Sequence, residues 1–197
     1  LEAKLVQRIH DDAGIFRFGI FGMSWAYSIL SELGEDDLIY NWLSRRQEPN
    51  YLSMLADGNQ TLGEYFPVGT MDVTLKGSLN HAMFSSYTVW MMEKLVGISV
   101  KKDRSIQLVP FFATDLTEVS GSLLTSQGEI EAQWVRTDAN NFMYSVTLPE
   151  LMSYDLRVEG AFHIINKEIA DSGDNRQTIR LTLRATNPIE AVGQGNA

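Results

Sequence analysis

From Leu1 to about Gly97 the apolar residues recur at helical spacing, whereas from Ile98 onward they alternate with polar ones and turn residues arrive roughly every ten positions. The pattern divides the chain near Gly97 into a helical part and a strand-rich part. Leu1, Leu5 and Ile9 form one apolar stripe on a first helix whose other positions carry Glu2, Lys4, Arg8, Asp11 and Asp12, so this helix faces water and stops at Gly14. Gly19 to Leu33 holds a single charged residue, Glu32, which predicts a helix covered by protein on both sides, with Gly34 ending it. Glu35 to Gln47 opens on Glu35, Asp36 and Asp37 and closes on Arg45 and Arg46, the arrangement that the helix dipole favours on a solvent-facing helix. Ser78 is a natural N-cap for a helix over Leu79 to Val96, and no charge interrupts Ser78 to Met92, so this helix too is expected to be covered. Covered and exposed helices thus alternate, as in stacked helical hairpins that line an interior with one helix of each pair.

Beyond Gly97, Glu129 to Arg136 and Asn141 to Leu148 alternate strictly and are joined by Thr137 to Asn140, which predicts a hairpin. Further strands are expected at Ser105 to Phe112, Glu118 to Thr125, Asp155 to Phe162 and Gln177 to Ala185. Several short alternating strands imply a β-sandwich. The run Asp171 to Arg176 is rich in carboxylates but lacks the spacing of a calcium loop, so it reads as a solvated turn. The tail over 189–197 is polar and Gly-rich and is expected to fray.

Composition narrows the function. With 44% hydrophobic and 21% charged residues over 197 positions the chain is an ordinary globular protein. Its 16 basic and 25 acidic residues leave a net charge of −9, a field that repels phosphate backbones and anionic lipid, so neither nucleic acid nor a membrane surface is an expected partner. There is no Cys and only 3 His, which removes thiolate chemistry and leaves no metal-ligand spacing. No metal or other cofactor is expected. No apolar run approaches the roughly 20 residues that cross a bilayer. The chain opens at Leu1 with neither an initiator Met nor a signal-peptide pattern, so it is expected to be a mature product or a piece of a longer protein. Nothing in it reads out a compartment.

Two short stretches carry candidate chemistry, both in the helical part. Gly58 to Phe66 (GNQTLGEYF) sets Glu64 between a Gly-rich turn and the rings of Tyr65 and Phe66. Aromatic faces stack on pyranose C–H surfaces, and a carboxylate in a partly desolvated pocket can do acid or base work, so this is a plausible sugar site. Read alone, a single loop Glu is more often a solvated surface residue. The sequon at Asn59 to Thr61 has no further support. Ser78 to His81 (SLNH) places Asn80 and His81 in the expected first turn of a charge-free helix, where free backbone N–H groups favour polar ligands, although a histidine there equally satisfies a buried hydrogen bond. Trp25, Tyr27 and Trp90 lie on covered helices and read as core, and His10 and His163 carry no assigned role.

The same two stretches resemble a known family. Gly58 to Phe66, followed by Gly77 to Ile98 (GSLNHAMFSSYTVWMMEKLVGI), is similar to the C-terminal part of the bacterial α-L-rhamnosidases that have an (α/α)6-barrel catalytic domain, whose motifs read approximately G-A-T-T-L-W-E-R-W and S-L-N-H-Y-A-F-G-S-V-x-x-W. Ser78, Leu79, Asn80, His81, Phe84, Ser86, Trp90, Gly97 and Ile98 all match without a gap. Phe18 to Gly22 resembles the family's T-G-F-L-G segment, and Gly121 to Pro149 its C-terminal β-sandwich, so the likeness spans nearly the whole chain. The fold that this implies is α plus β in two parts: over 1–97, helical hairpins from the C-terminal portion of an (α/α)6 barrel, and over 98–188 an antiparallel β-sandwich.

The resemblance also implies roles. Glu64 falls on the catalytic base that activates water in inverting hydrolysis of terminal α-L-rhamnosides, and His81, with Asn80 beside it, falls on a substrate-binding position. The implied partners are a rhamnose-containing glycoside or polysaccharide and the remainder of a parent chain. Two residues depart from the pattern: Gly63 stands where the family has Trp, and Ser85 where it has Gly. The Asp-rich segment that carries the family's general acid has no counterpart here. The chain is therefore expected to be a C-terminal section that is inactive alone and prone to self-association through its incomplete helical layer. Two alternatives stay open, a related glycosidase of another specificity and a non-catalytic carbohydrate-binding module.

Overall fold

The computed structural model describes residues 2–55, 60–66, 77–113 and 115–187, which form two compact units, Leu1–Trp90 and Met91–Ala197. Gly58, Asn59 and the expected frayed tail over 189–197 lie outside the described residues.

In the first unit, helices α1 (Glu2–Asp11), α2 (Ile20–Glu32), α3 (Asp36–Leu43), the single turn α4 (Tyr51–Met54) and α5 (Tyr87–Trp90) follow in order, with a 3-10 turn at Ala82–Ser86 leading into α5. The core of α2 is the stripe Met23, Ala26, Tyr27 and Leu30, the i, i+3, i+4, i+7 face of a helix. Its other face is uncovered among the described residues: Phe21 is 77% and Trp25 70% exposed. The expectation of cover on both sides of α2, and of a core role for Trp25, is corrected here; absence of charge marked a helix without polar obligations, not one with two partners. Tyr27 and Trp90 are core residues as expected.

Phe16 stacks face to face on Trp42 at 5.4 Å, and Trp42, Tyr51 and Phe66 meet edge to face at 5.0–6.1 Å. The Tyr27 and Tyr51 hydroxyls lie 2.8 Å apart, and Tyr51 donates to the Phe84 carbonyl at 3.1 Å. Burial pushes both phenols well above their ordinary range, so they remain protonated donors. The acidic start of α3 also departs from expectation. Asp36 is buried and accepts the Trp90 indole N–H at 2.7 Å, while Asp37 stays exposed. An indole N–H removed from water needs an acceptor, and a carboxylate in the first turn of a helix is favourably placed to be one.

In the second unit a short π-helical segment, Met91–Val96, precedes eight strands. These are β1 (Ile98–Val100), β2 (Ile106–Leu108), β3 (Glu118–Thr125), β4 (Gly128–Arg136), β5 (Asn141–Pro149), β6 (Tyr154–Leu156), β7 (Phe162–Gly173) and β8 (Arg176–Ala185). They make a five-stranded antiparallel sheet ordered β3-β4-β5-β8-β7 and a three-stranded sheet ordered β1-β2-β6, in which β2 and β6 run parallel. The inner residues of the large sheet, among them Ile130, Trp134, Phe142, Tyr144, Val146, Ile179, Leu181 and Leu183, close on Ile98, Ile106 and Leu108 of the small one to give one apolar core. Trp134 donates its indole N–H to the Leu95 carbonyl at 2.7 Å, which ties the π segment to that core. Gly97 makes the turn between them at φ +84°, and a Cβ there would come within 2.7 Å of the Pro110 Cα. The strands at Glu118, Glu129, Asn141 and Gln177 fall where expected to within a residue. The regions at Ser105 and Asp155 shorten to three residues each, and β1 and β7 are additional.

Asp37 supplies a test of the helical unit. Desolvation, and then the neighbouring Asp36 charge, hold its carboxyl above the usual range. The folded state thus binds this proton more tightly than the unfolded chain, so the ionised carboxylate costs stability in full above the folded pKa and nothing below the unfolded value of about 3.9. Asp37→Asn is expected to raise the urea midpoint at about pH 7, with the gain disappearing as the pH falls to about 3. A gain that is the same at both pH values would mean that Asp37 is not the titrating cost.

Candidate functional site

The segments that carry the candidate chemistry are adjacent and joined backbone to backbone. The Glu64 N–H donates to the Ser78 carbonyl at 2.9 Å, the His81 N–H to the Leu62 carbonyl at 2.7 Å, and the Thr61 hydroxyl to the Leu79 carbonyl. Across the same join the Ser78 N–H donates to Glu64 Oε2 at 3.1 Å. These bonds hold Ser78 to Asn80 in a loop, so the expected helix over Leu79 to Val96 does not form as one piece. It is a 3-10 turn from Ala82, one α turn and a π segment. Ser78 is not its N-cap; the Ser78 hydroxyl instead accepts the Asn80 N–H at 3.3 Å. His81 occupies the residue before the 3-10 turn.

Glu64 is half-buried and lies in the wall of a cleft of about 420 Å³. Ile15 to Ile20, Pro49, Tyr65, Phe66 and Phe84 form the remaining walls. Of the two rings that flank Glu64 in sequence, Tyr65 is 55% exposed, whereas Phe66 is packed at 5.0 Å against each of Trp42, Tyr51 and Phe84. Tyr65 therefore leaves ring surface open to a ligand, and Phe66 anchors the loop. Neither Asn80 nor His81 lines the cleft. Asn80 is exposed, while His81 is half-buried with its Nδ1 shielded from water and without a hydrogen-bond partner. A shielded imidazole nitrogen that lacks a partner is unusual in a folded protein and is suited to receive one from a bound molecule.

Arg17 and Phe18 in the cleft wall were not singled out as functional from the sequence, though Phe18 opens the segment that resembles T-G-F-L-G. Arg17 Nε sits 3.4 Å from Asp12 Oδ2. Among the described residues no cluster of three or more His, Cys, Asp or Glu is placed to hold a metal ion, and no helix is long and apolar enough to cross a membrane.

Gly77 is constrained by Glu64. It adopts φ +63°, and a Cβ built on it would lie 3.1 Å from the Tyr65 ring and in collision with Glu64 Oε2. Gly63, by contrast, is buried, and a Cβ on it would make only ordinary van der Waals contact, with the Tyr65 and Ser78 carbonyl oxygens at 3.8 and 3.9 Å.

The first unit thus places a half-buried carboxylate in an aromatic-walled cleft, and a β-sandwich follows it in the chain. Residues 1–95, a little under half of the chain, match the family described as the bacterial α-L-rhamnosidase six-hairpin glycosidase domain. An α-L-rhamnosidase of Formosa agariphila is 26% identical over 152 residues, covering 74% of this chain and 16% of its own length. One from Alteromonas sp. is 24% identical over 154 residues, 75% of this chain and 17% of its own. The chain thus spans about a sixth of the length of these relatives. Among solved structures, the α-L-rhamnosidase from Dictyoglumus thermophilum is similar with a TM-score of 0.71 at 21% identity, over 91% of this chain and 22% of that one. The Streptomyces avermitilis α-L-rhamnosidase complexed with L-rhamnose gives 0.72 at 17% identity, over 93% and 19%. The fold is α plus β, helical hairpins followed by a β-sandwich.

Gly77→Ala is expected to force the Glu64 carboxylate away from the Ser78 N–H while leaving the aromatic cluster in place. In a longer form of the protein with measurable turnover, the rate should fall by at least roughly tenfold with the melting temperature shifted by only a few degrees. Unchanged turnover would show that the observed Glu64 position is not required.

Proposed function

We propose that the chain is the C-terminal section of an inverting glycoside hydrolase that releases terminal α-L-rhamnose from glycosides or polysaccharides. Residues 1–97 are the end of its (α/α)6-barrel catalytic domain and 98–188 its β-sandwich. The observation that carries the proposal is Glu64, a half-buried carboxylate in the wall of an aromatic cleft with one oxygen held by the Ser78 N–H. Its other oxygen has no partner among the described residues and can accept a proton from an attacking water. Tyr65 supplies an exposed ring for the sugar face, and His81 and Asn80, which do not line this cleft, contribute polar contacts to the substrate beyond it. The name of the matching family and the L-rhamnose in the Streptomyces avermitilis structure support the choice of sugar.

Inversion needs a second carboxylic acid about 6.5–9.5 Å from the base, on the far side of the sugar ring, to protonate the leaving oxygen. That acid, and the hairpins that complete the barrel, belong on this reading to the remainder of the parent chain. Gly63 favours a second reading, activity on a different terminal sugar, because it removes the large side chain that the family carries beside the base. A panel of aryl glycosides assayed with the parent enzyme separates the two.

The 197-residue chain alone is expected to release no aryl alcohol from aryl α-L-rhamnosides, and turnover that disappears on Glu64→Gln would overturn the division of the site. In the complete enzyme Glu64→Gln keeps size and hydrogen bonding but removes the proton acceptor, so kcat should fall by roughly 10²–10⁴ with little change in KM. Near-normal turnover, or release of the sugar with retained anomeric configuration by the unmodified enzyme, which a Glu64 nucleophile would give, would sink the assignment. His81→Ala should lower kcat and raise KM together, since it removes a contact made in the bound substrate and strengthened in the transition state.

A further inference from the structure

β7 is the longest strand and the most exposed. It forms one edge of the five-stranded sheet, pairs only with β8 among the described residues, and from His163 to Gly173 every residue is exposed. A free edge of this length presents a row of unpaired N–H and C=O groups, which proteins either protect or use. Its apolar content argues for use: Ile164, Ile165 and Ile169 are 45%, 48% and 56% exposed.

The register shows which side chains share a face. Lys167 lies opposite Leu181, Ile169 opposite Ile179 and Asp171 opposite Gln177, so Lys167, Ile169 and Asp171 are on the face that in β8 holds the core. Asn166, Glu168 and Ala170 are on the other face. The regular run is bounded by irregularities between Ile164 and Asn166 and between Asp171 and Gly173. Lys167 has no ion-pair partner among the described residues, and an inward-directed lysine on an edge strand forbids indiscriminate pairing. It does not forbid one register.

We propose that β7 is a homotypic docking edge, pairing antiparallel with β7 of a second copy of this chain about Ile169. Residues that face each other across such a two-fold must share a face, so a pair i and j must have an even sum. Centring on Lys167 or Glu168 sets like charges opposite each other, and centring on Ala170 sets Ile169 against Asp171. Centring on Ile169 sets Ile169 against its own copy and Lys167 against Asp171 of the second copy, twice by symmetry. Glu168 then meets Ala170 within the regular run. Asp171 Oδ1 already accepts the Gly173 N–H at 2.8 Å, which orients the carboxylate and leaves Oδ2 for the incoming lysine. The pairing joins two five-stranded sheets into one of ten.

The experiment exploits a chain without cysteine. Ile169→Cys in the 197-residue protein should oxidise to a covalent dimer, because the symmetry axis brings the residue onto itself. Leu124→Cys, 80% exposed on the opposite edge strand, should not. By light scattering, Lys167→Asp alone and Asp171→Lys alone should each weaken dimerisation by roughly tenfold or more, and the double exchange should restore it. All four positions are exposed, and far-UV circular dichroism verifies that each variant folds. A chain that is monomeric at about 100 µM overturns the proposal. So does a dimer that ignores both charge reversals, that cross-links equally at both cysteines, or that dissolves only on Trp25→Ser, which would assign association to the helical face.

Discussion

The ring of Phe66 is the fixed point of the helical unit. It meets Trp42, Tyr51 and Phe84 at 5.0 Å each, and so ties the Glu64 loop to α3, to the turn at α4 and to the 3-10 turn that leads into α5. The Tyr27–Tyr51–Phe84 hydrogen-bond chain fastens α2 to the same cluster. With Phe66 immobilised, Glu64 two residues earlier can travel little, and the Ser78 N–H then selects where its carboxylate rests. Loops are usually the mobile part of a site; here the loop is anchored in an aromatic core, and on the proposed reading the positional accuracy that proton transfer requires comes from ring packing more than from the loop's own bonds.

That division of labour explains what was legible in the sequence. Glu64 stood out because a carboxylate between a glycine turn and two rings is chemically suggestive, and family motifs in order strengthened it. The two rings looked equivalent, yet only their packing partners, all distant in sequence, decide that Phe66 is structural and Tyr65 exposed. The Ser78 error has a similar origin. Ser-Leu-Asn-His before an uncharged run is a good local helix start, but three hydrogen bonds to the Leu62–Glu64 segment compete for the same backbone groups and win.

Alternation identified four strands of the large sheet to within a residue because one face of each is buried or, in β3, half-buried, which fixes period and register together. β7 escaped because neither of its faces is covered, so the apolar-polar alternation that reports burial is absent from Phe162–Gly173. The turn expected over Asp171 to Arg176 lies within that segment, at Asp174 and Asn175 with φ of +51° and +57°. The strand simply runs up to that turn. The buried Asp36 was hidden for a different reason: nothing local distinguishes it from Asp37, and only the Trp90 indole 54 residues away does so.

The two exposed apolar surfaces differ in what they ask of a partner. On α2, Phe21 and Trp25 stand on a helix whose backbone bonds are internally satisfied, so any closely fitting apolar surface suffices, and each ring is worth several kcal/mol once covered, at about 25 cal/mol per Å². On the proposed reading neighbouring hairpins of the barrel serve that need, as they serve the cleft's missing acid. The β7 edge is more selective. It requires a strand, an antiparallel direction and a register that answers Lys167, and Asp171 meets that requirement from within the same twelve-residue strand. A surface whose charge pattern is self-complementary about a single residue is matched most economically by its own copy, whereas the α2 face carries no such signature and identifies no partner by itself.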